Sequence, residues 1–133
     1  MIRLLLALPL PLAAGCATSS TPYAPVRDVS YQAMGTGGSA WIVVIGDDRI
    51  LFRVVGHGPE RSWPRVLPRT VDGVRIWQSG EGPEGITITA RPGPCASEDR
   101  QQRPLSFEHA VTVRLGEGEY RGCGGRLLGG GQG

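Results

Sequence analysis

The sequence predicts an all-β fold, a small antiparallel barrel or sandwich of about six short strands. Three observations carry that expectation. Apolar residues recur with period two in several short windows, turn-forming residues are dense, with 21 Gly and 11 Pro among 133 residues, and no window holds an amphipathic helical pattern of useful length. About 100 residues remain once the leader and tether described next are set aside, which fits one domain with a single core.

The chain opens with Met1 to Cys16, MIRLLLALPLPLAAGC. Arg3 supplies a positive start, Leu4 to Ala14 an apolar run, and Ala13-Ala14-Gly15 the small residues that a signal peptidase needs before its cut. A membrane-spanning helix needs roughly 20 apolar residues, and Pro9 and Pro11 would interrupt one, so the segment is expected to be a secretory leader over residues 1–15. Ala-Ala-Gly-Cys resembles the lipobox of bacterial lipoproteins, with Ala13 where Leu is commoner. The resemblance implies acylation of Cys16 and attachment to the membrane by several acyl chains, each buried methylene contributing about 0.8 kcal/mol. Ala17 in place of Asp after the cysteine implies the outer membrane, facing the periplasm. Residues 16–28, with ATSSTPYAPVRD after the cysteine, lack apolar periodicity and form a flexible stalk with a reach of up to about 40 Å.

The folded part spans residues 29–128. Gly-Thr-Gly-Gly-Ser-Ala at 35–40 leads into the apolar run Trp41 to Ile45, Gly46-Asp47-Asp48 makes a hairpin turn, and Ile50, Phe52 and Val54 alternate with Arg49, Leu51 and Arg53. His57 to Arg69 carries Gly58, Pro59, Pro64 and Pro68 and is expected to be a mostly irregular loop, with Trp63 as either a cover over the core or an exposed contact. Val74 and Ile76 alternate with Arg75 and Trp77, and the chain turns through Gly80 to Gly85. Ile86, Ile88 and Ala90 then alternate with Thr87, Thr89 and Arg91, the clearest period-two signal in the chain. A Pro-Gly corner is expected at Pro92 to Cys95 and at most one helical turn over Ala96 to Arg103. Val111, Val113 and Leu115 make a further strand, Tyr120 to Cys123 a short last one, and residues 129–133 a disordered tail.

Cys16 goes to lipid, which leaves Cys95 and Cys123 as an even pair in an oxidising compartment, where a disulfide is the default expectation. Closing a loop of that length stabilises a fold by roughly 3 to 4 kcal/mol on the chain-entropy treatment. All 14 basic residues are Arg, Lys and Asn are absent, and acids such as Asp47, Asp48, Glu98 and Asp99 are interspersed, so the basic balance reflects codon bias and nucleic acid is not an expected partner. Neither His57 nor His109 stands at zinc-binding spacing from the cysteines, and neither a metal nor a cofactor is expected. The Gly35 cluster lacks the Lys and the following helix of a phosphate-binding loop.

Gly35-Thr36 before Trp41, Cys95 with Glu98-Asp99 behind it, a strand from Pro104 to Leu115, and Gly122-Cys123-Gly124 together resemble a family of small proteobacterial lipoproteins. That family's pattern runs roughly G-T-E-P-x-W, C-x-D-x-M-S and G-C-G. Here Gly37 to Ala40 replace the Glu-Pro stretch, and Cys95 to Asp99 shifts the acid and lacks the Met-Ser. In size and stapled β character the chain is also similar to META-domain lipoproteins and to inhibitors of c-type lysozyme, an architectural likeness.

The role these features predict is a non-catalytic binding or envelope-maintenance function, with an envelope protein or small ligand as partner and with Trp63, His57, Glu98 and Asp99 as candidate ligand contacts. The alternatives are an inhibitor of c-type lysozyme that inserts the His57 to Arg69 loop through Arg61 or Arg65, and a small hydrolase. The hydrolase would need His57 or His109 as base and Ser39, Ser62 or Ser106 as nucleophile, with no G-x-S-x-G to single one out. No catalytic residue is expected.

Overall fold

Alternation in sequence becomes alternation in burial. In the computed structural model, which describes residues 28–36, 39–99 and 101–130, Trp41, Val43 and Ile45 point inward while Ile42 and Val44 are half-exposed. Ile86, Ile88 and Ala90 are likewise buried beside half-exposed Thr87 and Thr89. The leader, Cys16, the stalk up to residue 27 and residues 131–133 lie outside the described residues.

The strands are β1 (Tyr31–Gly35), β2 (Trp41–Ile45), β3 (Arg49–Val54), β4 (His57–Pro64), β5 (Arg69–Val71), β6 (Val74–Ser79), β7 (Ile86–Glu98), β8 (Pro104–Leu115) and β9 (Gly118–Gly130), with one 3-10 turn at Gly82–Glu84. They form one sheet in the order β4-β3-β2-β1-β9-β8-β7-β6-β5, antiparallel throughout. The fold is therefore all-β, as the sequence predicts, with nine strands rather than about six, and the single sheet is not closed into a barrel. Among the described residues no helix is long and apolar enough to cross a membrane.

The sheet rolls around one core. Tyr31 of β1 stacks at 4.8 Å on Trp77 of β6, and Phe52 of β3 meets Tyr120 of β9 at 5.0 Å, so strands distant in the sheet touch through their inner faces. The seam between the two ends of the roll carries side-chain bonds. Ser79 Oγ donates to the Pro64 carbonyl at 2.7 Å, and Trp63 Nε1 donates to the Glu84 carbonyl at 2.7 Å.

Four expectations are corrected by this topology. His57 to Pro64 is strand β4 rather than a loop, paired with β3 through Leu51↔Ser62 and Ile50↔Trp63. Its prolines are tolerated because it is an edge strand, where a missing N–H faces no ladder partner. The Pro92 to Cys95 corner is a bulge inside the continuous strand β7, where Gly93 and Pro94 interrupt the register with β8. Ala96 to Glu98 continue β7 instead of starting a helical turn. Finally, β9 runs through Gly129 and Gly130, two residues into the segment expected to be a tail.

The Cys95–Cys123 disulfide is present, with its Cα atoms 5.5 Å apart. Strand β8 lies between β7 and β9, so the bond requires the three strands to coil sharply. Bulges supply the bend: Gly93-Pro94 on one side and Gly125-Arg126 on the other both oppose the single residue Glu108. Gly122 and Gly124 flank Cys123 because there is no space for a side chain beside it. A Cβ on Gly122 would run into the Met34 carbonyl, and one on Gly124 into Ala33 and the Tyr31 hydroxyl.

Candidate functional site

The bulge opposite Glu108 gathers a group of polar side chains from several strands. Gly125 adopts φ +78°, a left-handed conformation that glycine takes without strain, and a Cβ there would collide with His109 and Glu108. The bulge takes the Arg126 N–H out of the ladder, and Glu108 Oε1 accepts it at 3.0 Å. That hydrogen bond, with the nearby His109, Arg126 and Arg75 charges, holds the Glu108 carboxyl below its usual range. Glu108 Oε2 faces Arg126 Nε at 4.0 Å.

One residue further on, His109 Nδ1 lies 3.2 Å from the Tyr31 hydroxyl. Burial pushes the His109 pKa down, Glu108 opposes the shift and Arg75 adds to it, so the ring is neutral at pH 7. Burial also pushes the Tyr31 phenol up to about 12, with Arg75 opposing, so Tyr31 remains a protonated donor. The phenol and Nδ1 share one hydrogen bond, and the imidazole tautomer sets which of them donates. Arg75 of β6 stacks its guanidinium on both Tyr31 and Trp77, 5.3 and 5.4 Å from the ring centroids, and makes no ion pair among the described residues.

These groups border a cleft of about 480 Å³ lined by Ser30, Tyr31, Gln32, Arg75, Glu108 and Arg126. A smaller recess of about 120 Å³ shares Ser30, Tyr31 and Arg75 and continues under Arg65, Val66 and Pro68 of the β4–β5 connection. Two guanidinium groups against one carboxylate leave the cleft with one net positive charge. Its opening is polar, Tyr31 gives it an aromatic wall, and Trp77 borders the adjoining smaller recess.

The four residues expected to contact a ligand do not converge here. Trp63 is buried to 7% exposure, under the seam, with the Arg61 guanidinium 5.2 Å from its ring centroid. His57 is exposed at the opposite end of β4 and borders a separate recess with Phe52, Arg61 and Tyr120. Glu98 ends β7 beyond the disulfide. Asp99 caps the next turn: its Oδ1 accepts the N–H groups of Gln101 and Arg103, and its Oδ2 the Arg103 guanidinium at 2.7 Å. Those bonds, the Arg103 backbone one foremost, keep its carboxyl below the usual range.

The candidate nucleophiles are equally scattered, with Ser62 opposite Leu51 and Ser106 opposite Gly129. Among the described residues no serine hydroxyl bonds to either histidine. The segment required to insert into lysozyme is a paired strand, and Arg61 within it lies 3.6 Å from Glu84.

The fold and site thus define an open, disulfide-stapled β-roll with a cationic cleft at one end. No protein-family model matches the chain, no curated protein matches its sequence and no solved structure matches its fold.

Proposed function

We propose that the chain is a non-catalytic binding module of the cell envelope, held by lipid on Cys16 at the outer membrane facing the periplasm, with the Tyr31 cleft as its binding surface. The observation that carries the binding role is the cleft itself. Its donors and acceptors converge from four strands, which supports capture of a polar ligand.

The same groups are poorly suited to turnover. Tyr31 stays protonated, the Ser30 hydroxyl donates to the Ile45 carbonyl at 3.0 Å, and the Cys95 and Cys123 sulfurs are joined to each other. The disulfide is in keeping with an oxidising compartment, where the leader would send the chain. The anchor is tested with Cys16→Ser: acyl labelling is lost and the protein moves from the membrane to the soluble envelope fraction. Unchanged labelling and fractionation in that variant would overturn the lipid anchor.

A further inference from the structure

We infer that the Tyr31 cleft binds a phosphate monoester group, recognised by Arg75 and Arg126 through its oxygens and by Glu108 through its P–O–H. This rests on the cleft being the binding surface, and it is independent of the anchor at Cys16.

The charge balance selects an anion. Arg75 and Arg126 present fixed positive charge, and guanidinium forks match the oxygens of phosphate and carboxylate groups. Arg75 is held against Tyr31 and Trp77 and forms no ion pair among the described residues, and it lines the cleft together with Arg126 and the single carboxylate of Glu108. Arg75 and Arg126 against Glu108 leave the cleft lining with a single net positive charge, which a monoanion balances.

Glu108 narrows the class. A carboxylate that lines an anion site repels ligands that only accept hydrogen bonds, and attracts one that also donates. Sulfate and ordinary carboxylates at neutral pH have no proton to give, whereas a phosphate monoester near its second pKa, about 6, carries a P–O–H. Only one Glu108 oxygen is engaged by the Arg126 N–H. The second, 4.0 Å from Arg126 Nε, lies beyond hydrogen-bonding distance of it and borders the cleft.

The test is calorimetric titration of the full chain in neutral detergent micelles at about pH 6, a pH at which the P–O–H form is populated. Inorganic phosphate is the free probe and sulfate the comparison; micelles doped with phosphatidic acid form the lipid arm, against phosphatidylglycerol, a diester without the P–O–H. Phosphate binding at least about tenfold tighter than sulfate is expected. Arg126→Gln, at a side chain 78% exposed, weakens phosphate about tenfold or more, as does Arg75→Gln. Glu108→Gln removes the preference over sulfate. Saturation by inorganic phosphate identifies a soluble ligand; response to phosphatidic acid alone identifies a lipid headgroup. Equal binding of sulfate and phosphate, or phosphate binding unaffected by Arg126→Gln, overturns the monoester and keeps the cleft as a site. Binding of none of inorganic phosphate, sulfate and phosphatidic acid overturns both the monoester and the cleft as an anion site, whatever the result at Cys16.

Discussion

Removing the Ser79 hydroxyl should loosen the seam of the roll and little else. Ser79 is 4% exposed, and its Oγ lies 2.7 Å from the Pro64 carbonyl, joining the end of β6 to the end of β4 where the backbone makes no ladder. A net hydrogen bond contributes about 0.5 to 1.5 kcal/mol, and stranding a buried acceptor costs about 1 to 3. Alanine is easier to bury than serine, which offsets part of this, so Ser79→Ala is expected to cost about 1 to 2 kcal/mol. On an unfolding free energy of about 5 to 15 kcal/mol that shift is readily measured by urea denaturation followed by circular dichroism. The m-value should stay constant, and amide exchange should accelerate in β4 while β7 and β8 keep their protection. Ser62→Ala, on the outward face of the same strand, is the control and should fall within about 0.5 kcal/mol of the parent. A Ser79→Ala variant as stable as that control, with β4 exchange unaltered, would refute a seam held by this bond.

The disulfide and the half-buried His109 give two further expectations. Cys95→Ser with Cys123→Ser should lower stability by roughly 3 to 4 kcal/mol through the 28-residue separation it no longer closes, measured by the same denaturation, and a loss under about 1 kcal/mol would argue against the bond as a staple. His109, with a folded pKa below its ordinary 6.5, binds fewer protons folded than unfolded. Stability should therefore decline as pH falls from 7.5 through 6.5 and toward the lowered value, in phosphate-free buffer. His109→Gln keeps an acceptor for Tyr31 and should flatten that slope; an identical slope in both proteins would exclude His109 as its source.

Most of the sheet was legible in the residues because burial on one face forces period two. Ile86, Ile88 and Ala90 show this plainly, and so do the hairpin at Gly46 to Asp48 and the pairing of Cys95 with Cys123. What was hidden lay where proline and glycine have two meanings. Pro59 and Pro64 look like loop residues until β4 is known to be an edge, and Pro92-Gly93-Pro94 looks like a corner until both neighbours of Glu108 are seen to bulge. The cleft escaped for a related reason. Tyr31, Arg75, Glu108 and Arg126 are far apart in sequence and lie on four strands, and only rolling of the sheet brings them together. The one local signal was Gly125-Arg126 directly after Gly-Cys-Gly, a glycine beyond those that the close packing of β9 on β1 requires.

Every pair of neighbours in the sheet is also consecutive in the chain except β1 and β9, which meet through Ala33↔Gly124 and Met34↔Cys123. The nine strands are thus a plain up-and-down meander cut in its middle, with β4 and β5, linked through residues 65–68, standing at the two outer edges. The protein therefore has to unite two hairpin stacks, β1 to β4 and β5 to β9, by a pairing only two residues deep and distant in sequence. Closure of so long a loop is entropically the most costly step of assembly. Local hairpin contacts within each stack, closed by a sequence-distant β1–β9 pairing, are the division that this strand order sets up.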